Sequence, residues 1–426
     1  MGGDRRYYEN AGMRRIIVAG LACVLVPACQ TVDKTLDSAD RTLAVAKTPT
    51  AKTVTDIARS DNREAALREG LKRRAALYER DPQVAISDLR GLKRDYDKLV
   101  SALTGNVNRN WGKKETRLPT RTRYIKYTQN YKSRAIVDFD AGTVTVETLD
   151  DKDPKASLKN AIVTTLLTPD DPRAVDLFSD KSVTLSSAKE PYLLGLVQDQ
   201  RGKSVATPAQ ADSYADYLLD KQAATRKVDV REGAREALFV TIAMVANFQN
   251  KQAEKYRGVV SKYAARYKVS PSLVYAVIRT ESNFNPFAVS SAPAYGMMQL
   301  VPSSGGREAY RAVKGRDEAP SKEYLFDAEN NIELGTAYLG VLSSRQLDYV
   351  TNATSREYCV ISAYNTGPSN VLKAFSRDKV AAVNSINGME PPGVYEKLRT
   401  SLPFDETRQY LVKVVGYRKQ FLSFGK

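Results

Sequence analysis

Residues 280–286 read Thr-Glu-Ser-Asn-Phe-Asn-Pro, and residues 295–299 read Tyr-Gly-Met-Met-Gln. An apolar helix is predicted to lead into the first of these segments. It begins at Ser270 and Pro271, because serine accepts bonds from the unpaired N–H groups of a helix start and proline suits the first helical position. Glu281 shares one helical face with four apolar residues, Leu273, Val274, Val277 and Ile278. A carboxyl group therefore occupies the place of the next core residue.

The position of Glu281 predicts a carboxyl group with a raised pKa. Partial burial disfavours the charged form, and so does the negative end of the helix dipole. A carboxyl that keeps its proton near neutral pH can act as a general acid. The helix pattern is equally consistent with a solvated glutamate at a fraying helix end, so the remainder of the chain has to decide between the two interpretations.

The composition of the chain limits the chemistry that Glu281 can take part in. The formal charge of +16 over 426 residues indicates an anionic partner: a nucleic acid, anionic lipid head groups or an acidic cell-wall glycan. Histidine is absent, which excludes Ser-His-Asp and Cys-His nucleophiles and histidine-ligated zinc. Catalysis must therefore use carboxylates, tyrosines, lysines or a cysteine, and neither a metal nor another cofactor is expected.

The N-terminus has the organisation of a bacterial export signal. Arg14 and Arg15 precede an apolar run at residues 16–26, which is shorter than the roughly 20 residues of a membrane span. The run leads into Val-Pro-Ala-Cys, which resembles a lipobox ending at Cys29. Residues 1–28 are thus predicted to be a signal peptide and Cys29 the lipidated mature N-terminus. A plain secretory signal with an incidental cysteine is the alternative.

A lipid on Cys29 would tether the protein to a membrane without spanning it. By similarity to sorting in enteric bacteria, the glutamine that follows the cysteine indicates the outer membrane. Residues 29–107 are predicted to be this lipidated tether followed by a charged helical segment that is interrupted near Pro82. The protein is accordingly expected in the periplasm.

Two folded domains are predicted after the tether, a small α+β domain at residues 108–250 and an α-rich domain at 251–426. In the first, residues 133–139 and 143–148 alternate apolar and polar side chains around an Asp-Ala-Gly turn, which predicts a β-hairpin. Helices are predicted in this domain at residues 158–167, 211–219 and 234–248.

Four short motifs follow one another in the last domain: Glu281-Ser282 with Asn285-Pro286, Tyr295 to Gln299, Ala363-Tyr364-Asn365-Thr366-Gly367, and Glu406 to Tyr410. Together they resemble the motifs of lytic transglycosylases with a goose-type-lysozyme-like catalytic domain. Each motif alone is a weak signal, but four in order behind a lipobox are specific. The resemblance extends to about residues 95–426, and it implies a small α+β N-terminal domain followed by an α-rich, lysozyme-like catalytic domain.

The resemblance implies cleavage of the β-1,4 bond between N-acetylmuramic acid (MurNAc) and N-acetylglucosamine (GlcNAc) in peptidoglycan, without water. Glu281 would be the general acid and then the base, leaving a 1,6-anhydro-MurNAc end. A single carboxylate suits this reaction, since hydrolytic glycosidases ordinarily need two. The resemblance also assigns a set of substrate-binding residues: Ser282, Ser290, Gly296, Met298, Gln299, Tyr364, Asn365 and Tyr410.

Two further interpretations follow from the same sequence. A hydrolytic muramidase would use water as the nucleophile, and a non-catalytic peptidoglycan-binding lipoprotein would keep the fold without turnover. A nucleic-acid partner is not expected, because the chain has no recognisable reading motif and carries an export signal. The expected partners are peptidoglycan glycan strands and, through the lipid anchor, a membrane.

Overall fold

A computed structural model describes residues 82–185, 189–230, 233–290 and 294–425. The predicted signal peptide, Cys29 and most of the predicted tether lie outside the described residues. The chain divides into two structural units. The larger comprises Lys98–Ser291, Tyr295–Gln299 and Phe326–Lys426, and the smaller includes Leu300–Leu325.

The described residues form a group of five strands with accompanying helices, followed by a long series of helices. The strands are β1 (Arg123–Thr128), β2 (Ser133–Asp138), β3 (Thr143–Thr148), β4 (Ala224–Val230) and β5 (Gly233–Ala243). The helices that accompany the strands are α1 (Pro82–Glu115), α2 (Pro154–Leu166) and α3 (Pro208–Lys221). The helices that follow are α4 (Phe248–Lys255), α5 (Arg257–Tyr267), α6 (Pro271–Ser282), α7 (Arg307–Lys314), α8 (Lys322–Phe326), α9 (Ala328–Val341), α10 (Ala353–Thr366), α11 (Pro368–Lys373), α12 (Lys379–Asn387), α13 (Pro391–Ser401) and α14 (Asp405–Arg418).

The smaller unit contains a short loop-and-helix segment. A π-helical turn at Pro302–Gly306 leads directly into α7. Arg307, at the start of α7, pairs with Asp317 at 2.8 Å, and the rings of Tyr310 and Tyr324 meet edge to face at 5.5 Å. These contacts hold α7 against the residues that follow it.

The strands form one antiparallel sheet in the order β1-β2-β3-β5-β4. The predicted hairpin is confirmed: β2 pairs with β3 from Ser133 opposite Thr148 to Asp138 opposite Thr143. Gly142 in the turn has φ +66°, and a Cβ there would lie 2.7 Å from the ring of Phe248. Glycine is therefore needed at this position both for the backbone conformation and for space.

The sheet is covered on both faces. Tyr124 of β1 lies in the core shared with α2 and α3, whereas Ile125 packs on the other side with Leu103, Val107 and Trp111 of α1. Alternate residues of one strand thus enter two different hydrophobic cores. The predictions of a small α+β domain and of an α-rich domain after it are both confirmed.

The prediction of a helix at residues 234–248 is wrong, because residues 233–243 form strand β5. This strand lies between β3 and β4 in the sheet. Both sheet faces are covered, so apolar residues such as Leu238, Phe239 and Ile242 do not show a clean alternation. A short apolar run without alternation cannot be distinguished from a helix by its period.

Helix α6 is the central helix of the α-rich domain and packs against α5 and α14. Most of its residues are buried all round, including Leu273 to Ile278. Pro271 occupies the first turn as predicted, but the Ser270 hydroxyl contacts Ser272 Oγ at 2.8 Å instead of capping the backbone. The helix ends where Asn283 adopts a left-handed conformation with φ +47°, which asparagine tolerates better than most residues.

A buried ion cluster connects α1 to the sheet. Arg134 on β2, which is 1% exposed, contacts Glu147 on β3 at 2.7 Å, and its guanidinium stacks on Trp111 at 3.8 Å. Arg226 on β4 also contacts Glu147, at 2.8 Å, and Glu115 at 2.9 Å. Charges removed from water are tolerated only when they are paired in this way.

Replacing Arg134 with methionine is expected to lower the free energy of unfolding by about 3 kcal/mol, because it leaves Glu147 buried with Arg226 as its remaining partner. Arg123→Met is the matched control. Arg123 also contacts a carboxylate, Asp138, at 2.7 Å, but its side chain is 53% exposed, so the expected loss is at most about 1 kcal/mol. Denaturant unfolding followed by the fluorescence of Trp111 measures the free energy of unfolding of both variants. Equal losses would contradict the stabilising role given to the buried Arg134–Glu147 pair.

Candidate active site

Glu281 lies in the last turn of α6 and is 5% exposed. Burial raises the pKa of its carboxyl to about 7, while the Arg121 guanidinium and the Tyr410 hydroxyl act to lower it and Glu406 acts to raise it. The prediction of a raised pKa agrees with this environment. At neutral pH the carboxyl is thus poised between its protonated and charged forms, which is the requirement for a group that gives and takes a proton.

Arg121 is the cation beside Glu281. Its Nη1 lies 3.6 Å from Glu281 Oε2 and 3.8 Å from Glu406 Oε1. Both distances exceed that of a normal hydrogen bond, so the attraction is Coulombic. Sequence reasoning missed Arg121, because it lies in a turn before β1 that contains no motif.

Tyr364 and Tyr410 bring two hydroxyl groups close to Glu281. Tyr364 on α10 donates a hydrogen bond to the Met298 carbonyl oxygen at 2.8 Å. The Tyr410 hydroxyl on α14 is buried and faces the Glu281 carboxyl, although the contact is outside the geometry of a full hydrogen bond. Burial, together with the negative charge of Glu281, raises the pKa of both tyrosines well above its usual value. Both hydroxyls therefore keep their protons and remain donors.

Ser282 connects α6 to the following loop. Its hydroxyl donates to the carbonyl oxygens of Ile278 at 3.1 Å and Met297 at 2.8 Å, and the side chain is fully buried. Any contribution of Ser282 to substrate binding is therefore indirect, through the position of the loop. Ser290 is half-buried and follows Val289, which pairs with Tyr295 in an isolated bridge.

Asn331 on α9 fixes residues 295–298 from the other side. Its Oδ1 accepts a hydrogen bond from the Met298 backbone N–H at 2.8 Å, and its Nδ2 donates to the Tyr295 carbonyl oxygen at 2.9 Å. Sequence reasoning also missed this residue. The sequence contains little signal for it, because Asn331 is one of several polar residues in the first turns of α9. In the structure its side chain is fully buried.

Gln299 presents an acceptor with no protein partner. Its Nε2 donates to the carbonyl oxygens of Gly296 at 2.8 Å and Ala288 at 3.2 Å. Its Oε1 is buried and has no hydrogen-bond partner among the residues that the structure describes. Gln299 and Gly296 both have positive φ, at +46° and +74°. An unpaired buried acceptor costs stability, so it is suited to receive a ligand N–H.

Asn365 lies at the end of α10, where its Oδ1 accepts a hydrogen bond from Thr407 Oγ1 of α14 at 2.6 Å. The structure thus brings residues from three of the four motifs around Glu281: Tyr364, Tyr410 and the Met298 backbone. Gly296 and Met298, which are predicted to bind substrate, contribute here through their backbone atoms.

Met298 itself is fully buried against Gly335 of α9. A Cβ on Gly335 would lie 2.3 Å from Met298 Sδ and 2.9 Å from Met298 Cβ. Met298 has little freedom to withdraw, because Asn331 and Tyr364 hold its backbone. This close approach keeps the loop against α9.

Gly335→Ala is expected to lower the free energy of unfolding by about 1–3 kcal/mol through overpacking, and to reduce activity by displacing Gln299. Gly258→Ala is the matched control, since a Cβ added to this helical glycine would have no heavy atom within 4 Å. Alanine there is expected to be neutral or stabilising by up to about 1 kcal/mol. Thermal unfolding and activity assays on both variants check this, and a harmless Gly335→Ala exchange would show that the loop is not held by this contact.

Comparison with known proteins agrees with this architecture. Residues 85–255 match the family model for the N-terminal domain of membrane-bound lytic murein transglycosylase C, and residues 258–387 match the transglycosylase SLT domain. The chain is 42% identical over 342 residues to the membrane-bound lytic murein transglycosylases C of Yersinia pestis strain Pestoides F and Yersinia pseudotuberculosis serotype O:1b. These matches cover 80% of this chain and 93% of each relative.

Two solved structures also resemble part of the chain. One is the lytic transglycosylase Slt of Pseudomonas aeruginosa, at 28% identity and a TM-score of 0.31, and the other is the 70 kDa soluble lytic transglycosylase of Escherichia coli, at 26% and 0.30. Each match covers 40% of this chain and about a quarter of the solved chain.

The SLT domain and the named relatives define the class: this chain is an enzyme, a lytic transglycosylase. Within that class it belongs to the family of membrane-bound lytic murein transglycosylase C. Family membership sets aside the interpretation as a non-catalytic binding protein. No helix in the described part of the chain has the length and apolar character needed to cross a membrane.

Proposed function

We propose that Glu281 cleaves the MurNAc-β-1,4-GlcNAc bond of peptidoglycan in two steps, first as an acid and then as a base. The observation that carries this proposal is the buried Glu281 carboxyl, whose pKa is about 7. Such a group holds a proton at the start of the reaction and is still a competent base once the proton has been transferred.

In the first step, the Glu281 proton passes to the glycosidic oxygen. The bond between that oxygen and C1 of MurNAc breaks, and its electron pair leaves with the GlcNAc oxygen. In the second step, the Glu281 carboxylate takes the proton of the MurNAc 6-hydroxyl, and O6 bonds to C1 to close the 1,6-anhydro ring. The nucleophile belongs to the substrate, and intramolecular attack of this kind can lower the barrier by up to about 7–11 kcal/mol.

The surrounding polar groups support recognition of an amino-sugar strand. Gln299 Oε1 is a buried acceptor that suits the N–H of an N-acetyl group, and Tyr410 supplies a buried hydroxyl. Asn365 has donor capacity beyond its bond from Thr407. In this proposal, peptidoglycan glycan strands are the substrate, Ser290 lines the same cleft, and Ser282, Gly296 and Met298 shape its floor.

Hydrolysis at the same site, as in a muramidase, is the alternative to the anhydro product, because Glu406 offers another carboxylate. It shares Arg121 with Glu281, at 3.8 Å from Nη1. Inverting glycosidases use a second carboxylate to activate water. The two mechanisms give different products, since hydrolysis adds one water to the released muropeptide and transglycosylation does not.

The test is digestion of purified sacculi with wild type, Glu281→Gln and Glu396→Gln, followed by mass spectrometry of the released muropeptides. Wild type is expected to release anhydro-muropeptides, and Glu281→Gln to lose at least about 99% of this activity, since glutamine cannot exchange the proton. Glu396→Gln changes an exposed helix pair with Arg399 and is expected to behave as wild type. Muropeptides heavier by one water would favour hydrolysis. Full activity of Glu281→Gln would show that Glu281 is not the acid and base of the reaction.

We further propose that the protein is a periplasmic lipoprotein anchored at Cys29 to the outer membrane. The lipobox supports this, as do the relatives, whose names describe them as membrane-bound. Residues 29–107 then include the tether, 108–250 the N-terminal domain and 251–426 the catalytic domain.

Cys29→Ala is expected to abolish incorporation of labelled palmitate and to move the protein from the membrane fraction to the soluble periplasmic fraction, because the thiol that carries the lipid is missing. Cys23→Ala, a change in the apolar run of the signal peptide, is the control and should keep both label and location. Labelling of the Cys29→Ala protein would contradict the anchor assignment.

A further inference from the structure

We infer that Arg121, which belongs to the N-terminal domain, is a positioning residue of the catalytic centre that stabilises the Glu281 carboxylate formed when the proton is transferred. The inference rests on the proposed function of Glu281. It gives the N-terminal domain a direct part in the chemistry, although the catalytic motifs all lie in the other domain.

The structure places Arg121 between two carboxyl groups. Its Nη1 lies 3.6 Å from Glu281 and 3.8 Å from Glu406, which is on the first turn of α14. The arginine side chain is 41% exposed, whereas that of Glu281 is 7% exposed. The guanidinium thus lies at the boundary between the buried carboxyl and solvent, with Glu406 on its outer side.

The backbone around Arg121 is fixed independently of its side chain. Asn285, in the loop after α6, donates from Nδ2 to the Arg121 carbonyl oxygen at 3.0 Å. The next residue, Thr122, accepts a bond from the Phe139 backbone N–H at 3.0 Å. Asn283 donates to Phe139 and, at 3.2 Å, to Asp140 Oδ1. The contact between the domains therefore uses the Arg121 carbonyl oxygen and the turn after β2, and it would survive a change of the Arg121 side chain.

The effect of the Arg121 cation follows from the change in the charge of Glu281 during the reaction. Glu281 begins neutral and becomes an anion as the glycosidic bond breaks, so a nearby positive charge stabilises the transition state more than the ground state. Arg121 lowers the pKa of Glu281, opposing the effect of burial. Without it, the carboxyl would hold its proton more tightly and transfer it less readily.

Among the described residues, four groups on three elements face Glu281, and their effects on its pKa differ in sign. Arg121 and the Tyr410 hydroxyl lower the pKa of Glu281, and Glu406 raises it. Tyr364 also lies close enough to feel the charge of Glu281, but it stays neutral because its own pKa is raised well above its usual value. Arg121 and Glu406 are the charged members of the set, so their removal is expected to have opposite effects.

The experiment measures initial rates of anhydro-muropeptide release from sacculi between about pH 5 and about pH 9. Activity requires protonated Glu281, so the wild-type rate should fall as pH rises through about 7. The part of the pH–rate profile in which the rate falls with rising pH is its alkaline limb. For Arg121→Gln, this limb should move to higher pH by about one unit, which corresponds to a tenfold rise in the proton affinity of Glu281. The plateau rate at low pH should fall about tenfold, because the anion is less stabilised.

Three companion variants make the result specific. Arg121→Lys should restore part of the plateau rate and bring the limb back toward wild type. Glu406→Gln should move the limb to lower pH, because the neighbouring negative charge is gone. Arg123→Gln, two residues along, removes an exposed cation that pairs with Asp138 and should leave rate and limb unchanged. Thermal unfolding of each variant checks that the fold is retained.

An unchanged alkaline limb in Arg121→Gln would overturn the inference, even if the rate fell, because a merely structural role lowers the rate without moving the limb. An equal shift in Arg123→Gln would also overturn it, since the effect would then be long-range charge. Failure of the proposed function has a different signature: wild type would release no anhydro products, or Glu281→Gln would remain active.

Discussion

The proposed catalytic centre depends on the cost of placing one carboxyl group where water hardly reaches it. Glu281 lies in the last turn of a helix in which most residues are buried, and burial alone would keep the carboxyl protonated well above its usual pKa. The structure offsets this cost only in part, with a cation at 3.6 Å and a tyrosine hydroxyl nearby. The carboxyl is therefore neither firmly neutral nor firmly charged, and this balance is what acid and base work requires.

The loop that surrounds Glu281 is held mainly by hydrogen bonds to its backbone. Ser282 and Asn331 bind carbonyl and amide groups of residues 295–298, and Tyr364 takes the Met298 carbonyl oxygen. This arrangement leaves the Gln299 amide oxygen without a partner among the described residues. In the proposed function this unpaired acceptor receives a sugar amide, since no protein bond must break when that ligand binds.

The N-terminal domain has a stable sheet, and that sheet fixes the position of the turn that carries Arg121. Its sheet is covered on both faces, and the buried Arg134–Glu147 pair with Trp111 attaches α1 to the strands. A sheet anchored in this way can present the turn before β1 as a fixed surface. Asn285 of the SLT domain binds that turn at the Arg121 carbonyl oxygen, and Asn283 binds the Phe139 carbonyl oxygen just after β2. The cation beside Glu281 thus belongs to one domain and the carboxyl to the other.

Local patterns in the sequence were sufficient to predict much of the fold and the family. The helix that carries Glu281, the β2–β3 hairpin, the sequence of an α+β domain before an α-rich one and the family all followed from spacing and motifs. These features depend on neighbours along the chain, which periodicity reports directly. Strand β5 was missed for the complementary reason: coverage on both faces, a tertiary property, removed the alternation that identifies a strand.

Only the tertiary structure could decide the surroundings of Glu281. The sequence determined that a carboxyl would sit at an apolar helix end, with Tyr364 and Tyr410 as partners implied by the family motifs. The sequence did not indicate that Arg121 and Asn331 would lie at the site. It also did not indicate that Ser282 would be buried, and Ser270 was expected to cap the helix but does not. Each of these depends on which distant residue lies within a few ångströms. Electrostatic and hydrogen-bond energies act over such distances in space, and no local pattern encodes them.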